Sequence, residues 1–183
     1  MKIKTARLNI KYNRNIENVG DNFSLFDVED NDDNYFEGVN HFCFSDSGDP
    51  LVFTSDPLDI AIYSKKLYIK YISFFCEKEN LLHKVENNIE YVDESVLISD
   101  ERFNDDNRYI DEKMEFNQYM ENRNVYVIRK DAKKDLLGYR IDNEHYILFD
   151  KTSNFSGVVF KNITDEQVNQ MGEISFYIGE HFD

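Results

Sequence analysis

The fold class is decided most clearly by residues 138–149, GYRIDNEHYILF. Two runs rich in aromatic and β-branched side chains, 138–141 and 145–149, flank the polar residues Asp142, Asn143 and Glu144. This arrangement predicts a β-hairpin, because residues with turn preference join two strand-forming runs.

The same reasoning predicts strands on both sides of this hairpin. They are expected at 3–12, 23–26, 41–44, 51–54, 67–74, 125–128, 157–160 and 174–178.

Three helices are also predicted. Asp56-Pro57 supplies a capping carboxylate and a proline at the first helical position, which favours a short helix from 57 to about 64. A continuous helix over 57–87 is the competing interpretation. A second helix is expected at 111–122, and residues 164–167 form a capping box for a third that ends near Gly172.

Many strands with a few short helices predict an α+β fold with mostly antiparallel sheets. The polar stretch 86–107 reads as a junction between an N-terminal lobe, 1–88, and a C-terminal lobe, 108–183. One continuous domain is the alternative at this length of 183 residues.

The net charge of −15 is concentrated in two segments. Residues 17–37 hold eight acids and no base, and residues 90–115 hold ten acids and three bases. The rest of the chain is neutral. This distribution argues against direct nucleic-acid binding, because phosphate contacts need a basic surface.

Two interpretations of the acidic segments remain open. They are solvated loops that aid solubility, or they form a surface that captures a basic partner. Closely spaced carboxylates also imitate the phosphates of a nucleic acid. Under the second interpretation, aromatic side chains within the segments anchor the interface. The predicted partner-binding residues are Asp27, Glu29, Asp30, Asp32, Asp33, Tyr35, Phe36, Glu37, Asp100, Glu101, Phe103, Asp105, Asp106 and Tyr109.

No metal site is predicted. The only Asp/Asn-dense twelve-residue stretch, 27–38, lacks the Gly and Glu that a calcium loop needs at its sixth and twelfth positions. The four histidines show no zinc-ligand spacing, and no glycine-rich phosphate loop occurs. Cys43 and Cys76 are expected to be buried free thiols.

One local pattern points to an enzyme as the alternative. The run 53–57, FTSDP, is followed by Glu77-Lys78-Glu79, and Arg7 lies on the first predicted strand. This order resembles the Arg, Ser-Thr-Ser and Glu-x-Glu motifs of ADP-ribosyltransferases. The resemblance covers residues 7–79 and implies NAD as substrate, with Arg7 holding phosphate or ribose, Ser55 ordering the site, and Glu79 stabilising an oxocarbenium ion.

A second resemblance concerns the whole chain and is compositional. A small, acidic chain rich in Asn, Asp, Tyr and Phe is similar to phage anti-CRISPR proteins and bacterial toxin-immunity proteins. It implies an inhibitor that occupies the nucleic-acid site of a basic nuclease or CRISPR effector, without a cofactor. A structural accessory protein is a third interpretation.

The remaining expectations concern location and assembly. The richest apolar stretch, 67–75, is too short to cross a bilayer, and no signal peptide is evident at the N-terminus. A cytoplasmic protein is therefore expected. Exposed strand edges favour a dimer, whereas the high like charge opposes one, so the oligomeric state stays open.

Overall fold

The computed structural model describes residues 2–20, 22–31 and 50–172. These residues form fourteen strands, a single turn of 3₁₀-helix (Lys78–Asn80) and one α-helix, α1 (Asp165–Met171). In chain order the strands are β1 (Lys2–Ala6), β2 (Tyr12–Asn18), β3 (Phe23–Asp30), β4 (Pro50–Ser55), β5 (Leu58–Tyr63), β6 (Ile69–Glu77), β7 (Asn88–Val92), β8 (Ser95–Ser99), β9 (Tyr109–Asp111), β10 (Phe116–Glu121), β11 (Asn124–Arg129), β12 (Asp135–Arg140), β13 (His145–Asp150) and β14 (Phe155–Phe160).

Two six-stranded sheets hold most of these strands. Sheet I has the order β2-β3-β6-β5-β4-β9, and sheet II has the order β10-β11-β14-β13-β12-β7. Both are mixed, because β9 runs parallel to β4 and β7 runs parallel to β12. β1 and β8 form a separate two-stranded antiparallel sheet, in which Lys2 lies opposite Ser99.

The sheets pack face to face as a β-sandwich over an apolar core. Phe26 and Phe74 of sheet I stack with ring centroids 4.6 Å apart, and Phe160 of sheet II lies 5.0 Å from Phe74. All three rings are almost completely buried. Each such ring pair adds about 0.5–1.5 kcal/mol to the stabilisation from burial alone.

Two polar side chains also link the sheets. Gln118 of β10 donates from Nε2 to the Phe75 carbonyl and accepts from the Glu77 N–H, both at 2.8 Å. Arg14 of β2 donates to the carbonyls of Lys161 and Asn162, at 2.8 and 3.2 Å. These bonds fix the distance between the sheets at two places along sheet I.

A second apolar cluster covers the outer face of sheet II. Its buried members include Tyr126, Leu148 and Val159, and the side chains of Leu82 and Val85 pack against it. Leu82 also exchanges backbone hydrogen bonds with β10, accepting from Met120 and donating to Gln118. The chain therefore closes this face with its own residues.

The expected α+β class is wrong, because the described chain is mostly β. The segments predicted as helices at 57–64 and 111–122 contain β5 and β10 instead, and the continuous helix over 57–87 is excluded by β5 and β6. Asp56-Pro57 forms the turn between β4 and β5, with a cis peptide bond. β5 lies between β6 and β4 in sheet I with most of its apolar residues buried, so tertiary packing overrides the local signal for a helix start.

Other local predictions are confirmed. Strands occur at 23–26, 51–54, 125–128 and 157–160, most of 67–74 lies in β6, and β12 and β13 form the antiparallel hairpin. Thr164 and Gln167 make both hydrogen bonds of the capping box, and Gly172 caps α1. The strand expected at 3–12 is divided into β1 and the start of β2. The strands expected at 41–44 and 174–178 lie outside the described residues.

The segment 86–107, interpreted as a junction, contributes β7 and β8. Cys76 is a buried free thiol, as expected, and burial raises its pKa to about 12. Cys43 lies outside the described residues. Among the residues that the structure describes, no helix combines the length and the apolar character needed to cross a membrane.

Candidate acidic interaction face

The register of sheet I gathers acids from distant parts of the chain on its outer face, which points away from sheet II. One row across five strands reads Asp27, Ser73, Asp59, Thr54 and Asp111. Because neighbouring strands lie about 4.8 Å apart, successive carboxylates in this row are separated by roughly 10 Å.

The adjacent row adds a carboxylate and two tyrosines. It reads Glu29, Tyr71, Ala61, Val52 and Tyr109 across the same five strands. Ala61 and Val52 are buried and form its floor, whereas Glu29 and Tyr109 are exposed. The two rows therefore bring residues of both acidic segments onto one surface.

The electrostatics of this surface are visible at Tyr71, which is half-buried between the acids. Burial, together with the negative charges of Asp59, Asp27 and Glu29, raises the pKa of Tyr71 to about 12. A phenol that stays protonated can act as a hydrogen-bond donor over the whole physiological pH range.

We call Glu29, Asp59, Tyr71, Tyr109 and Asp111 the acidic face. Glu29, Tyr109 and Asp111 are exposed, and Asp59 and Tyr71 are half-buried.

The structure separates the predicted acids of β3. Asp27 lies on the outer face but is buried, with 7% of its surface exposed. Asp30 points to the opposite side of the sheet, because side chains alternate along a strand, and it is buried beside the Tyr68 hydroxyl. Of the predicted residues on β3, only Glu29 is exposed.

The predicted residues between β8 and β9 have several different environments. Arg102 donates to both carboxylate oxygens of Asp100, at 2.8 and 2.7 Å, and these bonds hold the pKa of Asp100 well below its usual range. Glu101 pairs with Lys2, and Phe103 packs against the core cluster.

Asp105 and Asp106 are exposed, and no ion pair within the described ranges engages either of them. Five further predicted residues lie outside the described residues: Asp32, Asp33, Tyr35, Phe36 and Glu37.

Sequence reasoning missed three members of the face: Asp59, Tyr71 and Asp111. Asp59 stands between the apolar residues Leu58 and Ile60, and this alternation is the sign of a strand with one exposed side. The helix prediction at 57–64 concealed that sign.

A groove continues the acidic face toward the Asn18 end of β2. It has a volume of about 1160 Å³ and lies between the β2–β3 turn, the end of β6 and the β9–β10 connection. Its lining includes the apolar side chains of Val19, Phe23 and Phe75, which are 47%, 43% and 48% exposed.

The residues of the enzymatic alternative lie in three separate elements. Arg7 is exposed between β1 and β2, and Glu79 is exposed in the 3₁₀ turn. Ser55 is fully buried at the end of β4, where its hydroxyl accepts from the Met114 N–H at 2.9 Å. Within the described ranges no hydrogen bond or ion pair joins any two of them. The enzymatic alternative, with NAD as substrate, stays a prediction.

The part of the chain that the structure describes contains no group of three or more His, Cys, Asp or Glu side chains arranged to hold a metal ion. No protein-family model matches the chain, and no curated protein matches it either. The fold and the surface define a β-sandwich with an acidic, tyrosine-bearing sheet face, and the function is argued from that face.

Proposed function

We propose that this protein binds a basic, nucleic-acid-handling protein, such as a nuclease or a CRISPR effector, and inhibits it by occupying its nucleic-acid site. The observation that carries the proposal is the register of sheet I, which gathers Glu29, Asp59 and Asp111 around Tyr71 and Tyr109. These residues come from four different strands.

The chemistry of the face suits such a partner. A nucleic-acid site presents Lys and Arg side chains to phosphates, and carboxylates compete for the same cations. The roughly 10 Å between carboxylates in a row is wider than the spacing of consecutive phosphates, so the face is expected to pair with separate basic side chains. The tyrosines supply contact area at low entropic cost, and tyrosine is enriched at interfaces.

The net charge supports fast capture. A surface of one sign raises the association rate with an oppositely charged partner by roughly 10- to 1000-fold at low salt. The protein carries a net charge of −15, and the acidic face lies on its surface. Association is therefore expected to slow steeply as ionic strength rises.

The test is a low-salt affinity capture from host lysate with wild-type protein and two triple variants. The face variant carries Glu29→Gln, Asp59→Asn and Asp111→Asn. The control variant removes the same charge elsewhere, with Glu121→Gln, Asp131→Asn and Asp135→Asn. The captured protein is eluted with salt, identified by mass spectrometry, purified and assayed for nucleic-acid binding.

The expected result is one basic protein that wild type and control retain and the face variant loses. Added wild-type protein should then block the nucleic-acid binding of that target at a stoichiometry near one to one. Equal capture by the face and control variants would contradict the proposal, as would a target that binds nucleic acid normally when saturated with this protein.

A further inference from the structure

Sheet I presents exposed apolar side chains next to its acids. Phe23 and Phe75 project from the outer sides of β3 and β6, and Val19 follows β2 in the adjoining turn. Between 43% and 48% of each of these three residues is exposed. Water-exposed aromatic rings side by side in a groove are costly, and such patches mark interaction sites.

The walls of this groove are acidic. Its lining contains five carboxylates and two lysines: Asp56, Glu77, Asp111, Glu112, Glu115, Lys113 and Lys130. Lys130 pairs with Glu115 at 3.1 Å, and Arg102 pairs with Glu112.

The other three carboxylates are available to a partner. Within the described residues, Asp56, Glu77 and Asp111 take part in no ion pair. Asp56 and Asp111 are exposed, and Glu77 is half-buried.

The groove is also held open by the fold. Gln118 lies in its lining and bonds the backbone of β6 on both sides of Cys76, so the wall that carries Phe75 is tied to sheet II. A site fixed in this way loses little conformational entropy when it is occupied.

We infer that the groove receives a segment of the basic partner in which an apolar side chain is flanked by Lys or Arg. The apolar side chain seats against Phe23 and Phe75, and the flanking cations pair with Asp56, Glu77 and Asp111. This inference rests on the proposed function and adds a sequence preference to it. A second copy of this chain is a poor occupant, because two molecules of charge −15 repel each other.

The test uses two fluorescein-labelled peptides of equal charge. One has the sequence Gly-Lys-Arg-Phe-Lys-Arg-Gly, and the other has Ser in place of Phe. Binding is followed by fluorescence anisotropy at low and at moderate salt, with wild type, Phe75→Ser, Phe23→Ser and the control Tyr91→Ser. Tyr91 is exposed to a similar degree, 38%, but belongs to sheet II.

Wild type and Tyr91→Ser should bind the Phe peptide about tenfold or more tightly than the Ser peptide, since burying one aromatic side chain is worth at least that factor. Phe75→Ser and Phe23→Ser should lose this preference and keep the weak, salt-sensitive binding of the Ser peptide. Both residues are more than two-fifths exposed, so both variants should fold, which thermal unfolding verifies.

Equal affinity of wild type for the two peptides would overturn the inference, as would an unchanged preference in both Phe variants. Sedimentation of wild type and Phe75→Ser provides a third test. A wild-type dimer that dissociates in the Phe75→Ser variant would also contradict the inference. If the captured target depends on Glu29 and Asp59 but not on Phe75, the groove inference fails and the proposed function stands. If the peptide preference holds but no basic target exists, the proposed function fails alone.

Discussion

The outer faces of the two six-stranded sheets differ in how far their apolar side chains are exposed. On sheet II, the side chains of Tyr126, Leu148 and Val159 are buried in a cluster against which Leu82 and Val85 pack. On sheet I, Phe23 and Phe75 remain more than two-fifths exposed beside uncovered carboxylates. Four of the five large exposed apolar side chains in the described ranges lie on or beside sheet I, and Tyr91 alone belongs to sheet II.

This difference separates structural apolar residues from those available for binding. Both sheets place apolar side chains on their outer sides, and sheet I buries some of them, such as Leu25 and Ala61, but leaves Phe23 and Phe75 partly exposed. Under the proposed function, a partner that covers the Phe residues of sheet I would recover the cost of leaving them in water, as interface anchors do. The following predictions test this contrast, from the largest effect to the smallest.

Truncating one apolar residue on each outer face should give very different losses of stability. Leu148→Ala, at a fully buried site of sheet II, should lower the free energy of unfolding by about 2–5 kcal/mol, since it leaves a cavity. Phe75→Ala should change it by less than about 0.5–1 kcal/mol, because half of this side chain is already in water. Urea unfolding of both variants measures the difference, and comparable losses would show that sheet I is not an open face.

The two hydrogen bonds from Gln118 to β6, beneath the groove, should contribute an intermediate amount to the free energy of unfolding. Gln118→Ala removes two hydrogen bonds and leaves a carbonyl and an N–H of β6 without their partner, which should cost about 1–3 kcal/mol. It should also weaken binding of the Phe peptide, since the groove loses its fixed width. Asn117→Ala is the neighbouring control, because within the described residues the Asn117 side chain bonds only the Tyr119 hydroxyl, at 3.2 Å. Equal unfolding midpoints for the two variants would show that the Gln118 hydrogen bonds do not stabilise the fold.

A carboxylate on sheet II should stabilise the fold in a pH-dependent way. Burial would raise the pKa of Asp150, but hydrogen bonds from Asn154 and Thr152 outweigh it and hold this pKa well below its usual range. The stabilisation is therefore present above the pKa of the unfolded chain, about 3.9, and is lost as the pH falls from there toward the lower folded pKa.

Asp150→Asn should thus cost about 1 kcal/mol at pH 7. The gap between wild type and variant should stay constant down to about pH 5 and narrow progressively below about pH 4. Chemical unfolding between pH 7 and pH 2.5 measures this gap. Asp106→Asn, at an exposed site, is the control and should show no gap at any pH. A gap for Asp150→Asn that does not narrow at all between pH 5 and pH 2.5 would mean that the charge is not what matters.

Neutralising an acid on sheet I should have the smallest effect and the opposite sign. Asp59 has two carboxylates about 10 Å away in its row, and each repels it by roughly 0.4 kcal/mol in water. Asp59→Asn should therefore stabilise the fold by a few tenths of a kcal/mol at low salt, and salt should erase the gain. Glu101→Gln should destabilise it, because Glu101 pairs with Lys2. Thermal unfolding at two salt concentrations compares them, and a destabilised Asp59→Asn would assign Asp59 to the structure.

The predictable parts of the fold are those that local chemistry determines. The hairpin of β12 and β13 and the capping box of α1 depend on residues close in sequence, and both are confirmed. The helix predictions failed where tertiary contacts override local preference. At the β10–β11 turn, Asn122 and Arg123 both adopt positive φ angles. The sequence does not predict this hairpin turn, because the second position usually holds Gly and here holds Arg123.

The candidate site was only partly predictable for a related reason. Charge counting identifies Glu29 and Tyr109, because they lie in acidic segments. It cannot separate Glu29 from Asp30, which point to opposite sides of β3, and it overlooks Asp59, which no acidic segment contains. Membership of the face is set by strand register, and register depends on partners far away in sequence.

The pairing of β1 with β8 has a consequence for how the chain is made. Lys2 and its partner Ser99 are nearly a hundred residues apart in the sequence, so β1 is synthesised well before β8. At about 5–20 residues per second, the first strand waits on the order of 5–20 seconds for the strand that pairs with it. β1 is therefore without its native neighbour during that interval, and its exposed lysines help to keep it from pairing with other strands.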